Sequence, residues 1–221
     1  MFVGDERLLR VSLTLLDWRR RVAALYAEIR RTTDPSDGHE LWRTTRNELL
    51  RRHPESPLTP DDRASFSGVD VAPYDPALRF ELEVDTDVAP CAIDVPTGPD
   101  GVLPLRRIGS LHLATLGDLD VWWLGTYGGG LFVPVKDGLA GKETFGGGRY
   151  LLDTVKGADL GGDGRWLVVD MNFAYNPSCA YDPRWVCPLA PPSNTLSAPL
   201  RAGERTFAPS PAPGDRRRRP D

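Results

Sequence analysis

Histidine and cysteine are scarce in this sequence, three of each in 221 residues. Cys179 and Cys187, with His39, His53 and His112 scattered upstream, match no ligand spacing of a zinc site, so no metal is expected. Cys91, Cys179 and Cys187 form no even disulfide framework, and the start Met-Phe-Val-Gly-Asp-Glu-Arg lacks the basic opening and apolar core of a signal peptide; a reduced cytoplasm is the expectation. No apolar run approaches the ~18 residues that a membrane span requires, which argues against a membrane partner. An excess of positive charge is missing too. The net charge is −4, and residues 1–204 carry −7 once 205–221, with five Arg against Asp215 and Asp221, are set aside. That balance argues against a nucleic-acid partner. No nucleotide fingerprint or catalytic triad motif is present, so no cofactor is expected and the reaction class stays open.

Glycine and proline are plentiful, at 22 and 21 residues, and most lie beyond residue 54, where they punctuate short strands. Before that point the pattern is helical. Leu15, Trp18, Val22, Leu25 or Tyr26, and Ile29 recur every three or four residues, predicting an amphipathic helix over about 8–31. A second helix is predicted from Asp37, with Glu40 reaching back to complete the cap, to His53 before Pro54. From Pro60 onward, short alternating segments predict strands at 79–84, 91–95, 103–108, 111–116, 120–125, 131–135, 150–154 and 165–170, with a hairpin turn at 161–164. Prolines 177, 183, 188, 191 and 192 then bar ladder pairing, so 172–204 should wrap over the sheet as an extended strap. The expectation is an α+β protein: an N-terminal helical segment (1–54) packed on an antiparallel β-barrel or bent β-sandwich (55–204) that ends in the proline-rich strap. The Pro- and Arg-rich 205–221 is expected to be a disordered tail.

Polar and aromatic side chains crowd into two runs, 141–150 and 170–183. Gly and Pro fix the backbone there in non-repeating shapes that can aim side chains at one point. In the first run Lys142, Glu143, Arg149 and Asp153 surround Gly146-Gly147-Gly148, which reads either as an anion pocket of backbone N–H groups with a two-pronged Arg149 or as a glycine turn with solvated charges. In the second, Asp170 and Asn172 share a strand face, and Arg149 is the natural partner for Asp170. Cys179 reads as a nucleophile with His53 as base, as half of a disulfide with Cys187, or as a buried thiol.

The runs Gly141-Lys142-Glu143-Thr144-Phe145-Gly146, Gly148-Arg149-Tyr150-Leu151, Asp170 to Tyr181 and Cys187 to Asn194, with His53 to Leu58 and Arg201 to Glu204, resemble a bacterial and archaeal family known only as a domain of unknown function. The likeness spans about residues 18–204. Phe145 stands where Tyr is common, Met171 where Phe is frequent, and Leu139-Ala140 where a small hydroxyl residue is frequent. The resemblance implies no activity; it marks the polar runs as the family's signature.

From the residues themselves, the first expectation is a cofactor-independent enzyme, of hydrolase or lyase type, acting on a small anionic organic molecule. Lys142 and Arg149 would hold the anion, and Glu143 or Asp170 would transfer the proton, with Cys179 as a third catalytic candidate. Tyr150, Asn172, Tyr175, Asn176 and Tyr181 would orient the substrate. The alternatives are a non-catalytic small-molecule-binding β-barrel and a purely structural polar network.

Overall fold

The computed structural model describes residues 5–97, 101–125 and 127–208. Among the described residues three helices, α1 (Asp5–Ile29), α2 (Pro35–Arg52) and α3 (Pro60–Ser65), accompany eight strands: β1 (Arg79–Glu83), β2 (Ala92–Pro96), β3 (Val102–His112), β4 (Asp118–Leu124), β5 (Gly130–Val135), β6 (Arg149–Asp153), β7 (Gly162–Asp163) and β8 (Trp166–Asp170). The fold is α+β. Strands β2 to β6 make a five-stranded antiparallel meander in chain order, and β1-β8-β7 make a second antiparallel sheet. Among the described residues neither sheet closes into a barrel.

The helix start differs from expectation. The α2 cap is Asp34, whose carboxylate accepts the Ser36 N–H at 2.8 Å, with Pro35 opening the first turn. Proline there loses no bond, because that N–H has no helical acceptor. Glu40 bonds Arg43 at 2.7 and 2.9 Å instead of reaching back. The end before Pro54 falls as expected, with His53 at the C-terminal cap. The short α3, capped by Thr59, lies in a stretch to which the sequence assigned no element.

The two strands predicted at 103–108 and 111–116 are one, β3, with a register shift between Arg107 and Gly109. A bulge of this kind breaks the alternation that marks a strand while the chain continues. Gly109 is needed there: a Cβ would sit 2.4 Å from Val84 Cγ1, where Asp85 pairs with Ser110 and ties the first sheet to the second. The core beneath both sheets is shared by Leu111, Val121, Val133, Leu151, Val169 and Met171. A second cluster packs Leu25, Tyr26, Ile29 and Trp42 of the helices on Leu105, Trp122, Phe132 and Tyr150 of the sheet.

The strap runs as expected through 172–204 without a named strand, broken by short 3-10 turns at Met171–Phe173, Ser178–Ala180 and Pro192–Asn194. It does not stop at 204. The Arg205 N–H reaches the Asp70 carbonyl at 2.8 Å, the Thr206 N–H reaches that of Glu143 at 2.9 Å, and Phe207 stacks 5.2 Å from the Tyr181 ring. Docked chain therefore extends to about 208, and the rest of the expected tail lies outside the described residues.

Candidate functional site

The residues singled out from the sequence fall into three separate groups. In the first, Arg149 is buried and donates to Asp137 Oδ2 at 3.0 Å, to the Glu204 carbonyl at 3.0 Å and to the carbonyls of Ala202 and Leu200. The expected Arg149–Asp170 pairing is not formed. Asp137, which the sequence did not single out, also accepts from Thr144 Oγ1 at 2.9 Å. Burial pushes the Arg149 guanidinium pKa down, and Asp137 works against that shift. Arg149 thus serves to gather the carbonyls of the strap's end, which would otherwise be buried without donors. The triple glycine brings the chain close to the strap. Gly148, at φ +88°, lets the strap pass close: a Cβ would meet Ala190 Cβ at 2.8 Å and the Val135 carbonyl at 2.9 Å. Lys142 and Glu143 are exposed on the turn before it, Glu143 facing Arg201 at 3.6 Å.

The second group is Asp170 with Asn172. Asp170 accepts from the Asn172 N–H (2.9 Å), Asn172 Nδ2 (2.7 Å) and the Tyr74 hydroxyl (3.1 Å). Asn172 also bonds both backbone groups of Asp75, at 2.9 and 2.8 Å. Its own carbonyl can only accept, so the 3.0 Å contact fixes His39 as the Nε2–H donor. Burial raises the Asp170 pKa against these donors. All the polar atoms named are paired with protein.

The third group surrounds a cavity. Helices α1 and α2 and strap residues 175–181 line a cavity of ≈ 80 Å³ that is partly open to solvent. Trp18, Leu25, Trp42 and Leu49 supply apolar walls, Tyr26, Tyr175 and Tyr181 phenols, and Arg46 and Lys156 cations; no carboxylate is among its lining residues. Arg46 is committed to the protein. It pairs in two-pronged fashion with Glu204, bonds Tyr181 Oη at 3.3 Å and the Asn176 carbonyl at 3.2 Å, and stacks 4.9 Å over the Tyr175 ring. Glu204, fully buried, also accepts from the Asn176 N–H at 2.7 Å and the Tyr181 hydroxyl at 2.9 Å. Burial raises the pKa of Tyr26 and of Tyr175, so both stay protonated donors.

Like Arg149 Nε, one atom of Asn176 is buried without a partner. Its Nδ2 donates to the Arg205 carbonyl at 2.8 Å, which fixes the amide's orientation, and its Oδ1 is buried with no hydrogen-bond partner while the residue lines the cavity. An unpaired buried acceptor costs about 1–3 kcal/mol.

Cys179 and Cys187 are half-buried free thiols, and neither lines this cavity. Tyr150 donates its hydroxyl to the Pro188 carbonyl at 2.7 Å and pairs with Tyr175 through the backbone. His53 is no base for Cys179, since its Nδ1 accepts the Glu55 N–H at 3.1 Å and its Nε2 faces Asp17 at 3.2 Å.

Arg46, Lys156 and Tyr26 went unnoticed as site residues in the sequence. Arg46 carried a signal: at i+4 from Trp42 and i−3 from Leu49 it is a charge on the buried helix face, where a charge demands a partner.

Among solved structures, the solution NMR structure of the uncharacterized protein from gene locus rrnAC0354 of Haloarcula marismortui is similar at 31% identity and a TM-score of 0.52, covering 74% of this chain and 90% of that one. No curated protein matches the chain. The family model described as Protein of unknown function (DUF1684) matches residues 64–205, more than half of the sequence, and the chain belongs to that family.

Proposed function

We propose that the protein binds a small molecule without transforming it, in the cavity between the helical hairpin and the strap. The observation that carries this reading is Asn176 Oδ1, a buried acceptor left without a protein partner at the wall of a largely apolar space. A ligand hydroxyl or N–H would complete it. The rest of the wall defines the remainder of the molecule: an aromatic or aliphatic body against Trp18, Leu25 and Trp42, and an anionic group toward Lys156, whose half-exposed ammonium also stands 3.7 Å from the Asp153 carboxylate. Glu143 and Asp170, the proton-transfer candidates, do not line the cavity, so the binding reading is preferred to hydrolysis or elimination. Beneath the site, two sheets sharing one core suit a bent sandwich better than a barrel.

Trp18 and Trp42 report on the test directly, because both line the cavity. Saturation-transfer NMR and tryptophan fluorescence should detect 4-hydroxyphenylacetate, which carries both a carboxylate and a donor, more strongly than phenylacetate, which lacks the donor. Ala158→Phe, filling the floor, should abolish both signals. No response to either acid, or binding that Ala158→Phe leaves intact, removes the proposal.

A further inference from the structure

Helix α1 carries two apolar stripes. On one side Trp18, Val22 and Leu25 line the cavity, and the Trp18 ring packs 5.1 Å from that of His53 at the end of α2. The other stripe is Leu9, Leu13 and Leu16, which recur at i, i+4 and i+7 and stand 57, 55 and 40% exposed. At 3.6 residues per turn it lies about half a turn round the helix from Trp18, so the contacts that seat α1 on the body leave it in solvent. Exposed leucines scattered singly are ordinary, but three in line form a contiguous apolar face of the kind that marks an interaction surface. The charges beside that face say what covers it. Asp5 and Glu6 occupy the first positions of the helix; Arg19 and Arg20, both exposed, follow the stripe, while Arg21 is bound to Asp17 at 2.8 Å. A second α1 run antiparallel, so that Leu9 meets Leu16, brings the two Leu13 side by side at the dyad and sets Asp5 opposite Arg20 and Glu6 opposite Arg19 at both ends. By the same helical count Arg7 falls on the Trp18 side, away from the contact, and Arg10 falls near Asp17 of the other copy. Parallel helices would set like charges together at both ends instead.

We propose that the protein self-associates through α1 as an antiparallel, two-fold symmetric dimer, with Leu9, Leu13 and Leu16 of each copy at the contact. The face is complementary to itself in both shape of pattern and charge, which is what an isologous contact requires. Three leucines and their flanking charges bury less than the ~800 Å² per partner of a standard interface, so the dimer is a weak one that dissociates on dilution. This inference is independent of what the cavity binds, because Trp18, Val22 and Leu25 belong to the other stripe.

The test uses the full chain. Sedimentation velocity should show monomer at low-micromolar and dimer at high-micromolar concentration. Leu13→Glu, at an exposed position, should keep the circular dichroism of the wild type and weaken association at least about tenfold, because two like charges then meet at the dyad. Charge swaps fix the orientation. Asp5→Lys with Glu6→Lys leaves both ends of the contact cationic, and Arg19→Glu with Arg20→Glu leaves both acidic, so each variant should associate less than wild type while an equimolar mixture of the two dimerises again. A wild type that stays monomeric throughout, a dimer that Leu13→Glu leaves intact, or a mixture that associates no more tightly than its parents would overturn the proposal. A monomeric wild type that sediments with phosphatidylglycerol vesicles, and loses this in Leu13→Glu, would overturn it in favour of a lipid surface on the same face.

Discussion

The Arg149 guanidinium stands 3.0 Å from the Asp137 carboxylate, and each side chain is 1% exposed. Removing one member strands the other's charge in the interior. Asp137→Ala should therefore lower unfolding stability by about 3–5 kcal/mol, read by urea denaturation. A loss under about 1 kcal/mol, the range of an exposed pair, would show that the pair is not sealed from solvent.

Glu204 and Arg46 tie the end of the strap to α2, with Tyr181 and the Asn176 N–H on the same carboxylate. Arg46→Met alone should be strongly destabilising, by about 3–5 kcal/mol. Adding Glu204→Gln should recover part of that loss, since the amide oxygen still accepts from Tyr181 and no unpaired charge remains. Strict additivity of the two substitutions in thermal or urea unfolding would contradict the network.

Asp170→Asn and Asp170→Ala should differ. The amide oxygen can still accept the Asn172 N–H bonded by Asp170 Oδ1, and the Tyr74 hydroxyl can accept from the new NH₂, so the first variant should stay within about 1 kcal/mol of wild type. Alanine leaves Asn172 Nδ2 with one acceptor fewer and should cost about 1–3 kcal/mol. If Asn is as damaging as Ala, the carboxylate charge itself is needed.

His39 should make the fold acid-sensitive. Burial holds its pKa below the 6.5 of the free ring, outweighing the upward pull of its bond to the Asn172 carbonyl. The neutral ring is favoured in the fold, so its contribution is fully present above 6.5 and is lost as pH falls from 6.5 toward the folded value. His39→Gln, which keeps an N–H donor for Asn172, should flatten this part of the stability profile between about pH 7 and 5. A variant with the wild-type slope there would place the effect on other groups.

The sequence by itself determined the classes and positions of most elements. The three-to-four-residue apolar rhythm of α1, the Pro54 stop of α2, the alternating short strands and the prolines that keep 172–204 out of the sheets all act locally, through backbone sterics and the side-chain period, and such signals survive in one dimension. Residues 141–150 and 170–183 were also legible as unusual. Their partners were not. Arg149 could have met Asp170 or Asp137, and both are carboxylates that satisfy the same local rule; the meander decided for Asp137, because β5 and β6 pair Val135 with Arg149, bringing the following residues of that turn to the guanidinium. Asn172 turned inward to Asp75, and Asn176 was left with a buried Oδ1 that has no partner. That cavity exists where α1, α2 and the strap meet, segments remote in sequence whose approach depends on the packing of Tyr26, Trp42 and Tyr175 with the sheet. Burial and pairing are properties of such long-range contacts, and only the tertiary structure fixes them.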